Sequence, residues 1–198
     1  MAPYAALAVL GGAMSANDPL PSLRAAERLI LQAMDLGRPV IGHCLGGQLM
    51  AKALGSRVVD SAAPEIGWQT MEVIDSPEAT AWFGQAPQHH VMHWHYEAFE
   101  LPAGAQLLAR STACAHQAFC IGPHLAMQFH LEIDKPKLQR WLDDGDPSWA
   151  DALVRHPDTV QSKEDILSDA QHRMEPHHGL ADAVYGRWWG HVVAASAS

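Results

Sequence analysis

Short apolar runs that alternate with helix-period runs, each ending at glycine, set the tightest limit on what this chain can fold into. Ala5 to Leu10 is a compact apolar run ending at Gly11-Gly12, the pattern of a buried strand entering a loop. Ser22 to Leu36 places Leu23, Ala26, Leu29-Ile30 and Ala33-Met34 at helical spacing and stops at Gly37. Pro39 to His43 is a second buried strand, and Leu45 to Leu54 a second helix stopped by Gly55. Strand, helix, strand, helix in this order calls for a parallel sheet with covering helices, because parallel strands need long crossovers.

From Arg57 the rhythm changes. "RVVD", "TMEVID", "VMHWH", "AQLLAR", "QAFCIG" and "LAMQFH" are short strand candidates at close intervals, and the last should return to the central sheet. Beyond Asp134 the pattern is helical again, over Lys135 to Leu142, Ser148 to Arg155, Glu164 to Met174 and Leu180 to Val193. Pro147, Pro157 and Pro176 should punctuate these helices. No internal repeat or low-complexity linker is present, so residues 146–198 are expected to be a helical extension packed on the domain formed by 1–145.

Composition narrows the function classes. A chain of 198 residues with 48% hydrophobic and 18% charged residues is ordinary for one folded domain. A net charge of −9 would repel a nucleic-acid backbone. No stretch approaches the ~18 apolar residues that span a bilayer, and the N-terminal apolar run lacks the basic residues of a secretory signal. The three cysteines, Cys44, Cys114 and Cys120, lack metal-type or redox-type spacing. A reduced cytoplasm is the expected home.

The chemistry concentrates in "GHCLGGQ". A nucleophile on a strained strand-to-helix turn needs small neighbours, since the backbone folds tightly and substrate must come close. Gly42 and Gly46 flank Cys44 at the required positions. The helix starting at Leu45 would aim its free N–H groups and positive end at the sulfur and favour thiolate. The Leu45 N–H would then stabilise an oxyanion. A thiol nucleophile also needs a base, and the base an orienting acceptor. In "MQFHLEI", His130 and Glu132 stand two apart, on one side of an extended segment.

With His130 86 positions after Cys44, "GHCLGGQLMAKALG" and "MQFHLEI" together resemble the class I glutamine amidotransferases of the Cys-His-Glu triad type. The likeness is greatest to stand-alone members related to the amidotransferase domain of GMP synthase. "LAVLGGAMSAND" resembles the family's oxyanion-strand loop, and "EIGWQTMEV" and "HWHYEAFELPAGAQLLARSTACAHQAF" resemble further family segments. The resemblance runs from Ala5 to Ile133, roughly two-thirds of the chain. It implies Cys44 as nucleophile, His130 as general base, Glu132 as orienting carboxylate, Gly12 and Leu45 as backbone oxyanion donors, and Gln48 as a glutamine contact. Leu131 stands where many relatives have proline, and His43 where many have a small apolar residue.

The implied fold is α/β, a flavodoxin-like, open, mostly parallel sheet with helices on both faces. The family's opening strand–helix–strand unit is missing ahead of Ala5, so this strand should lack its usual neighbour on one side. A start upstream of Met1 is the preferred explanation, and a shortened member the other.

The implied activity is release of ammonia from the glutamine side chain through a Cys thioester, with no cofactor, and with a synthase on another chain as the possible ammonia acceptor. Hydrolysis of γ-glutamyl peptides or amides on the same triad is the alternative, and an inactive binding or regulatory remnant the third. His93 and His95 share a strand face, but no third metal ligand is evident in the sequence, so they are assigned to the pocket wall and no metal is expected. His89-His90 and His177-His178 are expected to be solvated. Trp141, Trp149, Trp188 and Trp189 are expected to pack, and Cys114 and Cys120 to be ordinary thiols.

Overall fold

From Val40 to Ala51 every residue is buried, and the rest of the molecule is built around that block. The structure, a computed structural model, describes residues 4–197. In chain order, β1 (Leu7–Val9), α1 (Pro21–Asp35), β2 (Val40–His43) and α2 (Leu45–Ala53) come first. Then follow β3 (Val58–Val73), α3 (Pro77–Phe83), β4 (Gln88–Phe99), β5 (Gln106–Arg110), β6 (Ala118–Ile121) and β7 (His124–Met127). Three helices close the chain: α4 (Lys135–Asp144), α5 (Trp149–Arg155) and α6 (Lys163–Ser196).

The seven strands form one open sheet in the order β1-β2-β7-β6-β5-β3-β4. β2 pairs in parallel with β1 on one side and β7 on the other, so the last strand does return to the centre. The α/β sheet with helices on both faces is as expected, but parallel pairing is confined to this end. The other four pairings are antiparallel. The cause is loop length: β6 and β7 are joined by Gly122-Pro123 alone, and parallel neighbours would need a crossover of about a dozen residues or more. β1 lies at the sheet end and pairs only with β2 among the described strands, as expected for Ala5 to Leu10.

Alternation along β2 and β7 divides the core. Val40 and Ala126 join α1 and α2 on one face, packing with Leu23, Ile30, Leu49 and Phe119. Ile41, Leu125 and Met127 join the other face, with Trp82 and Phe83 of α3 and Val184 of α6. Strands apolar on both faces are what a covered parallel sheet requires. A third cluster, including Trp68, Met92, Leu138, Leu142 and Ile166, seats α4, α5 and the first half of α6. Among the described residues no helix is long and apolar enough to cross a membrane.

Three expectations are corrected. "RVVD" and "TMEVID" are parts of a single 16-residue strand, β3, because Glu65 to Glu72 pair residue by residue with β4 and keep the intervening chain extended. Pro64 falls where the β3–β4 register shifts, a place where its missing N–H breaks no ladder bond. α3 was not foreseen. Pro176 ends no helix: α6 runs through it for 34 residues. The backbone bond that proline forfeits is offset by burial of Met174, His177, Leu180 and Val184 on either side.

Candidate active site

The strand-to-helix junction is where the backbone is most constrained. Cys44 has φ 48° and ψ −112° and is the one non-glycine residue with positive φ among those described. Such a conformation is costly for a side-chain-bearing residue and persists only where the surroundings enforce it. Its N–H donates to the Met127 carbonyl of β7 at 2.8 Å, and its carbonyl accepts from the Gln48 N–H at 2.9 Å. The glycines are there for contact. A Cβ on Gly42 would meet the Gly46 carbonyl at 2.7 Å, one on Gly47 the Met127 carbonyl at 2.7 Å, and one on Gly46 would run into the Val9 carbonyl. α2 can therefore begin directly against β1, β2 and β7.

His130 and Glu132 come from the turn that follows β7. His130 Nδ1 lies 2.8 Å from Glu132 Oε1, and the Cys44 side chain is close enough to help raise the imidazole, its Sγ lying 3.7 Å from the Trp94 carbonyl. With Nδ1 committed to the carboxylate, Nε2 is the nitrogen left for sulfur. Gly11 makes this approach possible, since a Cβ there would meet His130 Cε1 at 2.8 Å. The Trp141 ring stands edge-on to His130 with centroids 4.7 Å apart. Lys137 Nζ donates to Glu132 Oε1 at 2.9 Å. Asp134 caps α4, its side chain accepting from the Lys137 N–H at 2.7 Å, and so sets where Lys137 and Trp141 begin.

The electrostatics follow from these partners. Burial alone would lower His130, but Cys44 and Glu132 beside it hold it up at about 9. Burial works against charge on Glu132 as well, yet His130, His43 and Lys137 keep its carboxyl well below the usual carboxylate range. His43 is different: burial takes it down to about 4 despite the opposing pull of Glu132. Its Nδ1 is 3.2 Å from Glu132 Oε2, off the best hydrogen-bond alignment. Its Nε2 is 3.2 Å from the Tyr185 hydroxyl.

These residues border a cleft of about 670 Å³. Gly12, Cys44, Gln48, His130 and Glu132 all line it. Leu45 sits behind Cys44 as the first residue of α2, where a helix has N–H groups with no intrahelical partner. Gln48 Nε2 donates to the Glu97 carbonyl at 3.0 Å, and Gln128 Nε2 reaches the same oxygen at 2.7 Å. The spacing rules missed several residues of the wall: Trp94, Tyr96, Glu97, Lys137, Trp141 and Asp146. Asp146 closes one side, accepting from Trp94 Nε1 at 3.2 Å and from the Tyr96 hydroxyl at 2.7 Å. The alternation in "HWHYE" was the available signal for Trp94 and Tyr96, which it puts on one face of β4, whereas His95 and Glu97 of the other face reach the cleft without such a signal.

Several secondary expectations change. His95 lines the cleft but His93 is wholly buried behind it. A third candidate metal ligand does exist: Glu65 of β3 stands directly across from His95. Strand pairing brings it there from 30 residues away in the chain. His177 is buried, edge-on to Trp68 at 5.2 Å, and is not solvated. His89 lies in β4 and bonds the Phe83 carbonyl at 2.8 Å. Trp189 is 61% exposed and does not pack. Burial pushes the Cys114 thiol up to about 12 and raises Cys120 too.

The model of the class-I glutamine amidotransferase family matches residues 2–144. The chain belongs to that family. A glutamine amidotransferase-like protein of Salmonella typhimurium, YfeJ, is 32% identical over 155 residues, 74% of this chain and 64% of its own length. A glutamine-hydrolysing GMP synthase of Aeropyrum pernix is 35% identical over 161 residues, 80% of this chain but 30% of that enzyme. The chain thus spans less than two thirds of either relative. Among solved amidotransferase structures, one from Methylobacillus flagellatus superposes with a TM-score of 0.89 at 37% identity, covering 94% of this chain and 76% of the other.

Proposed function

We propose that this amidotransferase hydrolyses the side-chain amide of glutamine through a thioester on Cys44. The single observation that carries the reading is the assembly of Cys44, on its constrained elbow, with the hydrogen-bonded His130–Glu132 pair in the wall of one cleft. The Cys44 sulfur attacks the amide carbon. N–H groups at Gly12 and Leu45 stabilise the oxyanion that forms. His130, held protonated by its carboxylate partner, gives its proton to the departing ammonia. Water, deprotonated by His130 in the second half, then cleaves the thioester and releases glutamate. Gln48, its Nε2 already held by the Glu97 carbonyl, offers Oε1 to the substrate.

We assign residues 1–145 to this catalytic unit and 146–198 to a helical extension seated on it. The relatives that are glutamine-hydrolysing GMP synthases support an ammonia-accepting synthase on a separate chain as the partner. A nucleophilic thiol requires a reducing compartment, which favours the cytoplasm. A second reading, hydrolysis of a larger γ-glutamyl amide, is favoured by one observation: the 670 Å³ cleft is roomier than glutamine alone needs. Ammonia and glutamate release from glutamine, measured beside a panel of γ-glutamyl amides, separates the two. Turnover of neither class, by protein that is folded and carries a free Cys44 thiol, defeats the proposal.

A further inference from the structure

Behind the cleft wall, Glu65, His93 and His95 form a cluster that the proposed chemistry does not use. His93 and His95 are two apart on β4 and share a face, and Glu65 is the register partner of His95 on β3. Their exposures are 2%, 0% and 3% for Glu65, His93 and His95. One ligand atom from each lies within 4.8 Å of the others. Glu65 Oε2 and His95 Nε2 are 3.2 Å apart. Neither ring nitrogen of His93 has a hydrogen-bond partner among the described residues, which is rare for a wholly buried imidazole. We infer that Glu65, His93 and His95 are the ligands of a single divalent transition-metal ion of the zinc class, pinning β3 to β4.

The donor set fits that ion. Two imidazoles and one carboxylate are a common three-ligand set for Zn²⁺, with one position left for water. Metal–ligand distances of ~2.0–2.2 Å in a tetrahedron put neighbouring ligand atoms ~3.4 Å apart. The Glu65–His95 spacing of 3.2 Å already matches this edge, and His93 offers the third ligand atom within 4.8 Å of both. The supporting bonds are those that orient ligands. His95 Nδ1 faces the Glu97 carbonyl at 3.2 Å, leaving Nε2 for the ion, and Gln117 Nε2 donates to Glu65 Oε2. The ion would sit where the β3–β4 register shifts, between Asp60 and Glu65, and would steady the strand that carries Trp94, Tyr96 and Glu97 into the cleft. It takes no part in the thioester chemistry, so its failure and that of the amidase proposal are separable.

The test uses the full chain carrying Cys44→Ala, which removes the competing thiol–imidazole pair beside it. The protein is loaded with Zn²⁺, desalted and analysed for metal, then titrated calorimetrically. About one equivalent retained, with a raised melting temperature, is expected. Adding His93→Gln or Glu65→Gln should weaken binding by at least ~10–100-fold, since even outer partners of metal ligands cost that much. No retained metal overturns the inference, as does binding unchanged in the His93→Gln variant, which would place the ion on other histidines. Should these variants not fold, X-ray absorption of the zinc-loaded Cys44→Ala protein reads the ligands directly. Two imidazoles plus oxygen uphold the site, and a sulfur-containing or all-oxygen shell rejects it.

Discussion

The Tyr185 hydroxyl lies 3.2 Å from Nε2 of His43, a contact that spans 142 positions of sequence. It connects α6, outside the stretch matched by the family model, to the carboxylate of the candidate triad. A carboxylate can only accept, so the tautomer of neutral His43 that suits both neighbours has its proton on Nδ1, facing Glu132 Oε2, and its Nε2 free to accept from Tyr185. Tyr185→Phe leaves Nε2 unpaired in a buried site. Stability should fall by ~1–3 kcal/mol, with a few-fold loss of turnover as Glu132 gains freedom. Thermal melts and steady-state rates check both halves. Unchanged values would mean that the contact positions nothing.

Glu132→Gln should preserve the fold and lower turnover by ~100-fold or more, because a neutral amide orients the ring but stabilises imidazolium poorly. The same substitution should shift the alkaline limb of the rate profile. His130 is held at about 9 partly by Glu132. Without that charge it loses its proton at lower pH, and activity should decline earlier on the alkaline side. A wild-type profile in the variant would contradict the assignment.

The reach of sequence reasoning tracks contact range. Gly42, Cys44 and Gly46 stand within five residues of one another, and His130 and Glu132 within three, so spacing rules resolve both groups without tertiary information. The parallel end of the sheet was legible for the same reason, since its strands are short, mainly apolar runs, although β1 is half-buried to exposed rather than the buried strand expected of Ala5 to Leu10. Trp141 over His130, Tyr185 on His43 and Glu65 opposite His95 depend on strand order and helix docking, which no local pattern encodes. Pro176 misled because a breaker's local cost was outweighed by packing on both sides of it.

Cys44 should be the one thiol that reacts rapidly with a glutamine-like electrophile. It lines the cleft beside a histidine that is protonated at neutral pH, whereas burial pushes Cys114 up to about 12 and also raises Cys120. Thiolate is the reactive form. Mass mapping after brief labelling should find the adduct on Cys44 alone, and an even spread over three cysteines would count against the site.

Gly46→Ala tests the elbow from its underside. The added Cβ would run into the Val9 carbonyl of β1, and neither backbone segment is a flexible side chain that can swing away. Overpacking of this kind costs ~1–3 kcal/mol. Because relief can come only by lifting α2 from the strand, Cys44 would move with it and activity should fall further than stability. Gly37→Ala, with nothing within 4 Å of the new Cβ but φ of +66°, is the comparison: a similar loss of stability with activity retained. Equal activity in the two variants would show that α2 does not set the position of the sulfur.

Acid should unfold this protein through its buried histidines. His43, His124 and His177 are each pushed down to about 4, with burial the largest cause. His124 also needs a bare Nδ1, which accepts from the Val40 N–H at 3.1 Å. In the unfolded chain each takes up a proton near pH 6.5. Between pH 6.5 and about 4 the unfolded state therefore binds more protons than the folded one, and stability falls as pH falls. The depression corresponds to up to ~3 kcal/mol per group, so three together approach a domain's usual margin of ~5–15 kcal/mol. His130 has the opposite sign. Its contribution is complete below pH 6.5 and is lost only as pH rises through about 9, so it cannot offset the acid loss. Melting temperature should hold between about pH 7 and 8 and then decline continuously from pH 6.5 toward 4. A curve that stays level down to pH 4 would show that these imidazoles are either solvated or already charged in the folded protein.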